Sequence, residues 1–174
     1  MFNHEQLLKL SKWEPLEQDF GREDHRCYEA IVRPLRQSLM SQESVRALYL
    51  DFGNLAIFAT VFIYEGKGDV GSVAGLLVYL SLLTPVAAMG RSNVHIAENE
   101  CGWSSLEPSQ ILSADELTAP HEQFAVAWIT SVGLRLLGRE EALEKLPDDV
   151  RPFEYCLNAE PWDRVFHVLF AETD

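Results

Sequence analysis

Two apolar runs lie back to back at residues 45–52 and 55–64, Val-Arg-Ala-Leu-Tyr-Leu-Asp-Phe and Leu-Ala-Ile-Phe-Ala-Thr-Val-Phe-Ile-Tyr. They constrain this chain more than any other stretch. Both are rich in aromatic and β-branched residues, and the turn dipeptide Gly53-Asn54 splits them. In the first run Leu48, Leu50 and Phe52 share one strand face, and Val45, Ala47 and Tyr49 the other. In the second, Ile57, Ala59, Val61 and Ile63 alternate with Phe58, Thr60, Phe62 and Tyr64. A strand with one wet face would be polar at every second position. Here both faces are mostly apolar. The spacing therefore predicts two strands, 45–52 and 56–64, at the centre of a sheet covered on both sides.

The other elements arrange themselves around that pair. Residues 2–12 predict a short helix with Leu7, Leu8 and Leu10 on its apolar side. Trp13-Glu14-Pro15 ends it, because proline disfavours helix in the residue before it. A first long helix is predicted over about 23–40, where Cys27, Ile31, Leu35 and Leu39 recur every four residues. Asp24 complements its dipole and Pro34 kinks it. The run 70–83 is ambiguous. Helical spacing aligns Leu76, Tyr79, Leu80 and Leu83; strand spacing aligns Leu76, Val78, Leu80 and Leu82. Its length and Gly-Ser start favour a helix, closed by Pro85 and Gly90. A short strand at 93–97 and a loop at 98–113 follow.

Ser113-Ala114-Asp115-Glu116 has capping-box spacing. Pro120 is a favoured first helical residue. From it a helix over 120–137 carries Phe124, Trp128, Ile129, Val132 and Leu136, with Gly138 as its stop. A further short helix fits 139–146, before Pro147. In the tail Phe153, Tyr155 and Leu157, then Phe166, Val168 and Phe170, alternate as in strands. The expected fold is α+β: a single domain over 1–174, with a mainly antiparallel sheet packed with several α-helices.

Charge narrows the partners. Lys+Arg 14 against Asp+Glu 27 gives a formal net charge of −13. Such a chain repels nucleic acid and anionic lipid and attracts basic proteins. Residues 70–89 carry no charge over about the length of a membrane span. Gly71, Ser72, Gly75, Ser81, Thr84 and Pro85 interrupt them, so a buried segment is expected and no membrane partner. Cys27, Cys101 and Cys156 form no CxxC pair, and an odd count fits a reducing compartment. The opening Met1-Phe2-Asn3-His4-Glu5-Gln6 lacks the pattern of a secretory signal.

Catalytic motifs are sparse. His121-Glu122 resembles the start of a zinc-protease helix, but position 125 is Ala125 where the second histidine belongs. His95 and Cys101 with Glu98 or Glu100 have no second Cys/His pair beside them. Cys101, with His121, Asn158 and His167 elsewhere, contains the residue types of a cysteine nucleophile and its base. Asp148-Asp149 and Glu98/Glu100 are paired carboxylates, the raw material of acid–base chemistry or a cation site. No GxSxG, P-loop or dinucleotide fingerprint occurs, and no cofactor or metal is expected.

A helix containing Ile31-Val32-Arg33-Pro34-Leu35-Arg36, a short link, then Val45-Arg46-Ala47-Leu48-Tyr49-Leu50-Asp51-Phe52 and an aromatic second strand resembles small bacterial immunity-type proteins. These are cytoplasmic inhibitors encoded beside polymorphic or contact-dependent toxins. The resemblance implies a protein that blocks a basic toxin domain by direct contact in the cytoplasm. The acidic positions Glu98, Glu100, Asp148 and Asp149, flanked by Trp103 and Trp162, are the candidate surface. The alternatives are a small hydrolase-like enzyme using the Cys101 loop or a carboxylate pair, and a scaffold subunit.

Overall fold

The computed structural model describes residues 1–17, 34, 37–38, 45–50, 56–66, 71–96, 104–153 and 161–171. Within them the paired runs become β1 (Val45–Leu50) and β2 (Phe58–Glu65). They begin a five-stranded sheet whose order follows the chain: β1, β2, β3 (Gly71–Ser81), β4 (Val86–Ile96) and β5 (Arg135–Leu136). The first three pairings are antiparallel and β4–β5 is parallel. Among the described residues four helices of stated bounds accompany the sheet: α1 (His4–Ser11), α2 (Pro120–Ser131), α3 (Arg139–Leu143) and α4 (Val165–Leu169). The molecule is thus the α+β domain expected.

The register corrects the expected tight turn. A two-residue turn at Gly53-Asn54 would set Leu50 opposite Ile57; instead Leu50 faces Thr60. Ile57 has left the ladder. Its N–H donates to Ala171 O at 3.0 Å, and its carbonyl accepts from Leu82 N at 2.8 Å. The second strand therefore starts at Phe58, and the dipeptide itself lies outside the described residues.

Residues 71–81 form a strand, not the helix favoured by length. β2 and β4 offer a hydrogen-bond ladder on each side, and both faces of this run are apolar. Leu76, Val78 and Leu80 line one face and Leu77 and Tyr79 the other, all buried. Among the described residues no helix is long and apolar enough to cross a membrane. Gly90 does not close the segment. It sits inside β4 opposite Leu77, where a Cβ would lie 2.6 Å from Leu106 Cδ2 and 2.9 Å from Gln110 O. The segment around the 3-10 turn Pro108–Gln110 crosses the strand there, and Leu112 N donates to Met89 O at 2.8 Å. The glycine permits that approach, and β4 starts at Val86, well before the expected 93–97, and ends at Ile96.

Three helix expectations also change. The helix from Pro120 ends at Ser131, not near 137. Gly133 takes φ +82° and Leu134 N donates to Ile129 O at 3.0 Å, which reverses the chain into β5. Gly138 instead precedes α3. The Ser113–Glu116 pair makes half of its capping box, with Ser113 N donating to Glu116 Oε2 at 2.9 Å, but only a turn forms at 114–116. Residues 165–169 are helical although Phe166, Val168 and Phe170 alternate. Every residue from Val165 to Ala171 is buried, so no polar stripe marks the helical period. α1 forms as expected, capped by Asn3, whose Oδ1 accepts from Gln6 N while Gln6 Oε1 accepts from Asn3 N. Of the helix expected over 23–40, Pro34, Gln37 and Ser38 are helical; the rest lies outside the described residues, as do Tyr155 and Leu157.

Both faces of β2 are buried, as its composition required. On one side Phe58, Phe62, Tyr64, Leu77 and Tyr79 pack with Leu7 and Leu10 of α1, Ala142 of α3 and Phe166 and Phe170 of α4 and its end. On the other, Ala59, Val61, Ile63, Leu76, Val78 and Leu80 pack with Ala125, Trp128 and Ile129 of α2. The sheet is the middle of three layers.

Candidate functional site

The candidate acidic surface divides. Glu98, Glu100, Cys101 and Trp103 lie outside the described residues. Asp148 and Asp149 form an exposed turn after α3. The Asp149 carboxylate meets His4 Nε2 at 2.9 and 3.1 Å, and this hydrogen bond holds the acid below the usual carboxylate range. Asp148 is exposed and makes no ion pair. Trp162 is half-buried against the α1–α4 layer, where it covers a core edge.

Nearby, α3 extends this acidic surface. Residues 139–149 hold five carboxylates, Glu140, Glu141, Glu144, Asp148 and Asp149, against Arg139 and Lys145. Arg139 is committed elsewhere, to Glu116 Oε1 at 2.7 Å and Ile111 O at 2.8 Å. Glu141 is held by Arg135 at 2.5 and 3.2 Å and by the Met1 amino group at 3.1 Å. Burial opposes its charge, but these partners win and its pKa lies below the ordinary value. Glu140 and Glu144 are exposed, make no ion pair, and line a cleft of about 580 Å³ with Met1 and Leu143 at its rim.

The second charged region is compensated. Arg91 of β4 grips Glu122 at the start of α2 with both ends of its fork: Nε to Oε1 at 2.7 Å and Nη2 to Oε2 at 3.0 Å. Ala119 N donates to the same Oε2 at 3.0 Å. The Arg91 hydrogen bond outweighs desolvation, so Glu122 is ionised below the usual range, and the same bond raises Arg91. In the sequence Glu122 stands out only within the incomplete zinc motif, and Arg91 is simply the first charge after the uncharged run 70–89. A charge beside Gly90, between strand-like runs, was the signal available. Neighbouring His121 donates from Nδ1 to Glu65 Oε1 at 2.7 Å.

The histidines do not converge. His121 opens α2 on one sheet face. His167 belongs to α4 on the other, where Arg164 N donates to its Nδ1 at 3.1 Å. Burial pushes His167 down to about 4. His95 is exposed on β4. Among the described residues no group of three or more His, Cys, Asp or Glu could hold a metal ion. Comparison with protein-family models, curated proteins and solved structures gave no match.

Proposed function

We propose that this chain is a binding protein, an immunity protein that neutralises a basic toxin domain by direct contact in the bacterial cytoplasm. One observation carries the reading: the acidic surface at 139–149 leaves Glu140, Glu144 and Asp148 exposed without ion-pair partners, in a chain of net charge −13. Unpaired surface charge contributes little to stability. It does attract an oppositely charged partner over a Debye length and speeds encounter.

The test is co-expression with the toxin domain encoded beside this gene, followed by binding kinetics at two ionic strengths. Rescue of growth, co-purification and an on-rate that falls steeply with salt are expected. Changing Glu140 and Glu144 to Gln and Asp148 and Asp149 to Asn should slow association about tenfold with little change in off-rate. Undiminished toxicity would overturn the function; rescue with a salt-independent on-rate would move the contact to another face.

A further inference from the structure

Between the start of α2 and the outer part of the β3–β4 hairpin lies a cleft of about 380 Å³, within the size range of small-ligand sites. In the ladder Arg91 sits opposite Leu76 and Asn93 opposite Ala74. Leu76 belongs to the layer under α2, so alternation places Ala74, Arg91 and Asn93 on that same face. α2 covers the sheet as far as Arg91. Beyond it, Ala74 and Asn93 are exposed, and the small Ala74 side chain leaves the floor low.

The ion pair here has a direction. Glu122 is 3% exposed and Arg91 54%, so the pair buries its negative end and shows its positive end to the cleft. Glu122 is buried and accepts three hydrogen bonds: Oε1 takes Arg91 Nε, and Oε2 takes Arg91 Nη2 and Ala119 N. Glu65, the other nearby carboxylate, is engaged by His121 Nδ1. The donors are not used up. Among the described residues Arg91 Nη2 also reaches Glu116 O at 2.8 Å, but Nη1 has no partner and neither does the Asn93 amide; His121 lines the cleft beside them with its Nδ1 on Glu65. A cleft that shows the open edge of a guanidinium and a free amide, with the arginine's own counter-ion buried behind it, suits a ligand that brings oxygen acceptors.

We infer that this cleft binds a small organic oxyanion, a carboxylate or a phosphate ester, on the open edge of the Arg91 guanidinium with Asn93 and His121 beside it. The site is separate from the acidic surface at 139–149. The −13 net charge opposes any anion at long range, so the affinity expected for a bare headgroup is on the order of 1 mM.

The test is an NMR titration of the full chain with inorganic phosphate and, separately, with succinate, at ionic strength held constant by sodium chloride. Saturable shifts confined to amides near 74–75, 91–93 and 119–122 are expected. Saturation by only one probe would support the site and identify its headgroup. Replacing Arg91 would strand buried Glu122 and endanger the fold, so exposed positions carry the mutational arm. Asn93→Ala should weaken binding roughly fivefold through a lost hydrogen bond. Ala74→Glu, placing a carboxylate on the floor, should weaken it about tenfold. Both variants should keep the native far-ultraviolet dichroism. Shifts that do not saturate with either probe, or affinities that both variants leave unchanged, would overturn the inference.

Discussion

The two faces of the sheet are buried to the same depth by different means. The face under α1, α3 and α4 is aromatic. Tyr79 stands at its centre, 4.3 Å from Phe58, 5.7 Å from Phe170 and 6.3 Å from Phe166 between ring centroids. Its polar groups are neutral: the Tyr79 hydroxyl accepts from Leu106 N at 3.0 Å, and His167 is an uncharged imidazole. The face under α2 is mostly aliphatic, with Trp128 buried and Phe124 partly buried among the described residues, and its margin carries the Arg91–Glu122 ion pair. Large rings fill the space beneath several short helices. Small aliphatic side chains let one longer helix lie close, and an ion pair then fixes its first turn. The lesson is that burial alone does not define a layer's chemistry: one face is closed to protons and the other is held by charge.

The sharpest way to break the aromatic face is Phe166→Ala, which removes a fully buried ring touching Tyr79 and Phe170. A loss of about 3–5 kcal/mol in urea unfolding is expected. A loss under 1 kcal/mol, on the order of a surface change, would mean that α4 is not integral to the core. On the other face, Arg91→Ala leaves Glu122 buried without its counter-ion and should cost about 3 kcal/mol. Glu122→Gln should cost less, since the remaining arginine is half-exposed and can be solvated.

Acid separates the faces. The folded His167 pKa of about 4 lies below the ordinary 6.5, so the unfolded chain takes up this proton first. The stability that His167 supplies is complete above about pH 6.5 and is lost as pH falls toward 4, up to about 3 kcal/mol. The depressed pKa values of Glu122 and Glu116 act in the same sense but only lower, as those carboxylates protonate. His167→Gln should flatten the decline between pH 6.5 and 4 and leave the lower limb in place. An unchanged profile in denaturant titrations would remove His167 as its source. The smallest effect is Tyr79→Phe, which keeps the ring and removes the acceptor for Leu106 N; about 1 kcal/mol is expected.

What could be read from the sequence follows the same divide. β2 was legible because Phe58 to Tyr64 is apolar on both faces, and only a twice-covered strand needs that. α1 was legible from local spacing, though its Asn3 cap was not read. β3 was not, because Leu76 to Leu83 satisfies both periods and the ladder that decides between them belongs to its neighbours. α4 was misread for the related reason that a helix buried all round loses its period. Gly133 took the helix-stopping role expected of Gly138, and Gly90 lies inside a strand where it was expected to close a helix: a left-handed turn and a crossing chain are tertiary facts. The Arg91–Glu122 cleft joins positions far apart in sequence and left no spacing to detect. Of the acidic surface, the composition of 139–149 could be read, but not which of its carboxylates were already paired.

The layers also differ in when they can be completed. The face under α2 draws its packed residues from positions up to Leu136. The aromatic face joins Leu7 and Leu10 to Phe166, Phe170 and Ala171, and Ala171 O holds Ile57 N in place. A chain synthesised at about 5–20 residues per second emerges with one side of its sheet closed while the other waits on the order of seconds for α4. During that interval Phe58, Phe62 and Tyr79 lack the rings that finally cover them. α4 is made after every strand of the described sheet and is the lid of this core, and every pause before it prolongs the exposure of those rings.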